Sequence, residues 1–202
     1  MRLFIAFELP PEIIKAVAAV QSKLKKTEAH VTWVRPEGIH LTLKFLGEVP
    51  EPRIPEIEGA LEAAAKGTGP ISVTIGGVGA FPDGTRPRVI WVGVQSHQQG
   101  SPGDDRAEGD KLPGVNTFGE LAGRIEKELG RLGFEENNRP FRPHLTLGRV
   151  RSSRGRKALI ESLKTALQDP LGTCRFEKIE LMRSELKPGG AVYSRIQTIS
   201  LN

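Results

Sequence analysis

RPEGIHLTL, residues 35–43, decides the reading of this chain because it returns as RPFRPHLTL at residues 139–147. Six of the nine positions agree at a constant offset of 104, about half the 202-residue length. The HLTL core has the look of a strand, on which residues i and i+2 share a face while i+1 and i+3 take the other. His40 and Thr42 then stand together on one side, with Leu41 and Leu43 buried on the other. His144 and Thr146 repeat the arrangement against Leu145 and Leu147. Each copy offers an imidazole and a hydroxyl, side by side on a stiff support.

Outward from the first copy, residues 2–8 alternate as a strand, and residues 10–26 carry Ile13, Ile14, Val17, Val20 and Leu24 at helical spacing after a Pro-Pro start. VTWV (31–34) and IHLTLKFL (39–46) are short strands separated by a turn at Pro36-Glu37-Gly38. A helix is expected over 52–66, then strands in ISVTIGGVGAF (71–81) and RPRVIWVGV (86–94) around a turn containing Pro82-Asp83-Gly84. The order recurs as a helix over 118–132, the second motif, a helix over 156–168 and strands over 175–183 and 191–201. At the same offset ISVTIGG falls on RFEKIEL, and PRVIWVGV falls on AVYSRIQT. Identity is lost there, but the elements stay in step. A repeat of about a hundred residues is too long for a solenoid. The expected fold is α+β: two pseudo-symmetric lobes, each a mainly antiparallel sheet with helices on its outer face, and an active-site cleft between them. Residues 1–202 are read as a single bilobal domain. The polar, aperiodic segment 96–116 is expected to be a mobile loop, with a lid that orders on binding as the functional alternative.

Composition narrows the function classes. The 38% hydrophobic content and mean hydropathy of −0.29 suit a soluble globular protein, and no apolar run nears the roughly 20 residues that span a membrane. RLFIAFEL is broken by Glu8 and Pro10-Pro11, so it reads as a strand and not a signal peptide. Cys174 is the one cysteine, which excludes an intrachain disulfide and points to the cytoplasm. The net charge of +5 favours an anionic partner without naming one.

Two histidines on opposite walls suit displacement at phosphorus, where entering and leaving oxygens lie on opposite sides. One side needs a base and the other an acid. An imidazole, with an ordinary pKa of about 6.5, offers both forms near neutrality. The threonine hydroxyls can donate to the non-bridging oxygens. One HLTL would suit a structural histidine. Two copies with matching flanks favour chemistry, because a duplication without function has little reason to keep its polar members where the flanking strands have diverged. His30 and His97 have no Thr at i+2 and are read as surface residues. Metal is not expected: there is no HExxH and no cysteine cluster, and the second copy has no Asp or Glu from Asn137 through Ile160. A phosphate loop of the GxxxxGK[ST] type is also missing, so no nucleotide cofactor is expected.

The acid-free stretch carries Arg139, Arg142, Arg149, Arg151, Arg154, Arg156 and Lys157, which points to a polyanionic substrate such as RNA. Arg154, Arg156 and Lys157 are read as solvated. Arg149, Arg142 and Lys44 are the substrate-binding candidates, with Lys44 placed on the face of His40 and Thr42. Phe45, Trp33 and Phe141 are near enough to stack on a base, but core packing is the expected job of each.

Paired H-x-T-x motifs, one in each half of a chain of this length, resemble the two-histidine (2H) phosphoesterases. The RNA 2′,3′-cyclic phosphodiesterases, also called 2′-5′ RNA ligases, are similar in RLFIAFELP, HLTLKFLGEV, the GAFP…RPRVIWVGV segment, RPFRPHLTLGRV and LMRSELKPGGAVYSRI. The resemblance implies hydrolysis of a terminal RNA 2′,3′-cyclic phosphate to a 2′-phosphomonoester without metal or cofactor, and the related 2′-5′ joining to a 5′-hydroxyl. It implies His40 as proton donor to the 3′-oxygen, His144 as the base that activates water, and Thr42 and Thr146 as the phosphate holders. The partner it implies is RNA with a cyclic phosphate end, tRNA fragments included, with no membrane; the chain is expected to be a monomer. Two features depart from the family: the longer 96–116 connection and the arginine density of GRVRSSRGRK. Two other readings stay open: a phosphodiesterase for small cyclic nucleotides or 2′-5′ oligoadenylates, and a non-catalytic RNA-binding module.

Overall fold

A computed structural model describes residues 1–96, 118–137, 140–165, 170–188 and 190–202. In chain order the elements are β1 (Arg2–Glu8), α1 (Pro11–Lys25), β2 (Val31–Trp33), β3 (His40–Glu48), α2 (Ile54–Ala65), β4 (Ile71–Phe81), β5 (Val89–Ser96), α3 (Phe118–Arg131), β6 (His144–Val150), α4 (Arg156–Thr165), β7 (Pro170–Phe176), β8 (Lys178–Lys187) and β9 (Gly190–Ser200). Single 3₁₀ turns at Pro36–Gly38 and Glu51–Arg53 lead into β3 and α2. Of the 96–116 segment, Ser96 ends β5 and residues 97–116 lie outside the described residues, as do His97, Arg139 and the 166–168 end of the helix expected over 156–168.

All strands belong to one antiparallel sheet in the order β7-β4-β5-β6-β3-β1-β8-β9, with β2 pairing with β6. The fold is the expected α+β pair of pseudo-symmetric lobes, which meet where β3 and β6 lie side by side. The sequence halves are not the lobes, however. The C-terminal hairpin β8-β9 joins β1 and completes the lobe of the first motif. The hairpin β4-β5 from the first half joins β6 and completes the lobe of the second. Helices cross over likewise: α1 lies against β7, and α2 packs on α3 and β9.

The strand expected over 175–183 is divided at Glu177: its first two residues close β7, most of which is not among the expected strands because PLGTC opens with a proline and carries a glycine, and the rest belongs to β8. At the rim of a sheet a residue without an N–H, or with little β preference, is tolerated. β7 is the edge strand beside β4, and Gly172 lets Ile13 of α1 approach: a Cβ there would lie 2.8 Å from Ile13 Cδ1.

The main core lies between sheet and helices. Leu3, Ile5 and Phe7 of β1 meet Ile13, Val17, Val20 and Leu24 of α1 and Ile57 and Leu61 of α2 in one cluster, with Leu41, Leu43, Leu145 and Leu147 from the two motifs. The other face of β1 supplies Phe4 and Ala6 to a small cluster with Met182, against which Tyr193 packs. That second face forms the floor of the cleft.

Candidate active site

β3 and β6 meet in register at Leu41 and Leu145. Carried one residue either way, antiparallel pairing puts His40 across from Thr146 and Thr42 across from His144. Each imidazole is therefore beside the hydroxyl of the other motif, around the local two-fold.

Both rings are set the same way. Nδ1 of His40 lies 2.8 Å from the Gly38 carbonyl oxygen, and Nδ1 of His144 lies 2.7 Å from that of Arg142. A carbonyl only accepts, so Nδ1 carries a proton and donates it, which leaves Nε2 as the ring nitrogen open to a substrate. These carbonyls stand two residues back, at the end of the 3₁₀ turn Pro36–Gly38 in one copy and in the irregular segment Phe141-Arg142-Pro143 in the other. The His40 ring stacks on Phe4 with centroids 4.7 Å apart and meets the edge of Tyr193 at 5.1 Å. His144 packs edge-on to Phe81 at 5.0 Å.

The environment of His40 is the more enclosed. Burial pushes its pKa below 6.5, partly offset by the Gly38 hydrogen bond and the charge of Glu8. Glu8 is the cross-strand partner of His40. Arg195 pairs with Glu8 and lies 3.3 Å from Glu180, which also accepts a 2.5 Å bond from Thr198 Oγ1. These carboxylates raise the Arg195 pKa further. Burial raises the Tyr193 pKa above 10, against the pull of Arg149, so its phenol is protonated and can donate. Sequence reasoning missed Phe4, Glu8, Tyr193 and Arg195. Phe4 and Glu8 alternate on one side of β1, but nothing in RLFIAFE says that this side faces the cleft.

A β-bulge changes the reading of Lys44. Ala6 pairs with Thr42 and Ile5 with Lys44, so Leu43 is an extra residue in β3. Alternation breaks there, and Lys44 turns to the helix side, where it is 7% exposed and pairs with Glu126. Its Nζ also donates to the Glu135 carbonyl oxygen at 2.7 Å. Lys44 is therefore not a cleft residue. The second motif has the same bulge: Trp91 pairs with Thr146 and Ile90 with Gly148, which skips Leu147. Arg149, an odd number of residues beyond His144, is returned by it to the histidine's face.

Phe45, 104 residues before Arg149, comes back to the cleft likewise and is 71% exposed. This corrects its expected place in the core; Trp33 and Phe141 do pack against the core. Arg142 enters the site through its carbonyl, and its side chain is exposed. Arg151 donates to Thr32 Oγ1 at 2.8 Å, and Arg154 and Lys157 are exposed. His30 is exposed, its Nδ1 2.9 Å from Ser152 Oγ.

The cleft has a volume of about 350 Å³. At the seam it is lined by His40, Thr42, Thr146, Arg149 and Tyr193, and it runs along the first lobe past Phe45 to Arg2, Ser184 and Leu186. His144 does not line it and stands on the side of the β4-β5 hairpin. Among the described residues, no three His, Cys, Asp or Glu side chains are grouped to hold a metal ion, and no helix is long and apolar enough to cross a membrane.

Comparison with known proteins agrees with this architecture. The description of the LigT-like phosphoesterases matches residues 7–91 and 113–193. The chain belongs to that family, a branch of the two-histidine phosphoesterases. A protein of Methanothermobacter thermautotrophicus named RNA 2′,3′-cyclic phosphodiesterase is 32% identical over 201 residues, covering 100% of this chain and 99% of its own. One of Thermus thermophilus with the same name is 33% identical, covering 100% and 90%. Among solved structures, TT0787 of Thermus thermophilus superposes with a TM-score of 0.73 at 28% identity, over 100% of this chain and 98% of that one. The Escherichia coli LigT complex with 3′-AMP gives 0.66 at 26%, over 99% and 97%.

Proposed function

We propose that this chain hydrolyses the 2′,3′-cyclic phosphate at an RNA end to a 2′-phosphomonoester by acid/base catalysis without metal. The observation that carries the reading is the matched pair of imidazoles, each with Nδ1 tied to the carbonyl two residues back and Nε2 left to exchange a proton. His40 protonates the departing 3′-oxygen, and His144 takes the proton of the attacking water. Such a placed acid or base contributes about 10²–10⁴ in rate. Thr42 and Thr146 hold the non-bridging oxygens between the rings, and Arg149 adds a positive charge beside them. If a 5′-hydroxyl replaces water, the same arrangement makes a 2′-5′ linkage. The names of the Methanothermobacter and Thermus relatives support the substrate class. Both histidines belong to one chain, so a monomer in one bilobal domain suffices. Ends of cleaved RNA, tRNA fragments included, are the natural source of such phosphates, and a lone cysteine suits the reducing cytoplasm.

The test is a short RNA with a 2′,3′-cyclic end, incubated in EDTA with wild type, His40→Ala and His144→Ala. The wild type should release a 2′-phosphate, and each substitution should lower turnover at least 100-fold. A wild type inert on this end, or one that needs added zinc or manganese, would overturn the reading.

A further inference from the structure

The cleft is longer than one phosphate needs, and its far end has a character of its own. Among the described residues three large hydrophobic side chains are exposed: Phe45 at 71%, Leu186 at 82% and Val192 at 38%. Two of them, Phe45 and Leu186, line this cleft. Exposed apolar groups gathered in a concave surface mark a binding face. Beyond them stands Arg2, on the same side of β1 as Phe4 and Ala6, opposite Ser184 on β8 and Glu48 on β3.

Arg2 is available. Among the described residues it has no ion-pair partner, while the nearby carboxylates are engaged: Glu48 lies 3.4 Å from the Met1 amino group, and Glu185 lies 2.5 Å from Arg183. Arg2 is four residues along β1 from Ala6, the cross-strand partner of Thr42. At about 3.3 Å per residue that is ~13 Å, too far for it to serve the phosphate held at the histidines. The series from the seam is hydroxyls and Arg149, then an exposed aromatic ring, then a free guanidinium. This order matches a nucleotide strand, in which phosphates alternate with stackable bases.

We propose that Arg2 binds a phosphodiester upstream of the reacting phosphate, with the intervening base against Phe45 and Leu186, so that the chain prefers oligonucleotide ends to single nucleotides. The assignment rests on the function proposed above and names the substrate class of the same site. It also gives the strand a direction. The RNA body lies over the first lobe, on the His40 side, and the water or 5′-hydroxyl arrives from the side of His144 and Phe81.

The experiment compares a mononucleoside 2′,3′-cyclic phosphate with a trinucleotide bearing the same end, for wild type, Arg2→Ala and Arg2→Lys. For Arg2→Ala, kcat/KM on the trinucleotide should fall about tenfold, mainly through KM, with less than twofold change on the mononucleotide. Lys should restore most of the loss. The slope of log kcat/KM against log salt on the trinucleotide should become shallower by about 0.7, the change for one lost phosphate contact on a single strand. Equal effects on both substrates, or none on either, would overturn the assignment. If the wild type turns over neither substrate, the proposed reaction falls. Anisotropy titration of a fluorescent trinucleotide then decides Arg2 by itself: weaker binding with a shallower salt slope supports it, and unchanged binding refutes it.

Discussion

His40 and His144 share a strand position, a tautomer and a hydrogen-bond partner type, yet their surroundings differ. Burial between Phe4 and Tyr193 lowers the pKa of His40, and Glu8 partly restores it. An acid that must be protonated is then depleted in the free enzyme as pH rises through a value below 6.5. The basic limb of kcat/KM should therefore fall on the acid side of 6.5, while that of kcat should lie higher, because a bound phosphate anion favours the imidazolium. Glu8→Gln removes a charge that raises the pKa, so the His40 titration followed by NMR should move to lower pH, and the basic limb of kcat/KM with it. An unmoved titration would mean that Glu8 has no electrostatic hold on His40. The same shift bears on stability. The unfolded chain binds the proton first, so the contribution of His40 is present above 6.5 and is lost as pH falls through the folded value.

At the scale of the strand, the decisive feature is the bulge that both motifs share. It turns position 44 and its counterpart 148 away from the cleft and returns 45 and 149 to it. The two turned positions then meet different neighbours, which accounts for their different residues. Lys44 reaches Glu126 of α3. A side chain at Gly148 would press on β2, since a Cβ would lie 2.7 Å from Val31 Cγ1 and 2.9 Å from Trp33 Cε3. Gln21 of α1 secures the second bulge by donating to the carbonyl oxygens of Leu147 (3.0 Å) and Val34 (2.7 Å). Removing one partner of a buried pair costs more than replacing it with a well-packed apolar group. Lys44→Ala should lose about 3 kcal/mol in urea unfolding and Lys44→Met clearly less, with turnover per folded molecule retained in both. Lost turnover in folded Lys44→Met would return the lysine to the site.

Across the whole molecule, each lobe borrows its outer hairpin from the other half of the chain. β1 is flanked by β3 and by β8, which follows about 170 residues later in the chain. α1 covers β7 and Gly172. Residues 1–96 by themselves would leave one edge of β1 unpaired and α1 without its contacts to β7 and α4, an arrangement prone to aggregation. That fragment should show no cooperative thermal transition and a poorly dispersed NMR spectrum, and mixing it with residues 97–202 should recover both. A well-dispersed spectrum from the first fragment would show that the exchange is dispensable.

Local pattern determined much of this protein. The repeated nonapeptide marked the two strands, the two histidines and the half-chain offset, and local pattern located the four helices of the described residues, because apolar periodicity and proline or glycine punctuation are short-range properties. Tertiary structure decided the rest. Strict alternation cannot reveal a bulge, so the sequence pattern put Lys44 in the cleft and Phe45 in the core, and the paired register reversed both. An edge strand opened by proline carries little strand signal, so β7 before Arg175 emerged only from its pairing with β4. The hairpin exchange, and with it the meeting of Phe4, Glu8, Tyr193 and Arg195 around His40, depends on which strands pair across more than a hundred residues. That choice is made by burying the whole sheet against four helices, a long-range balance that no window of sequence contains.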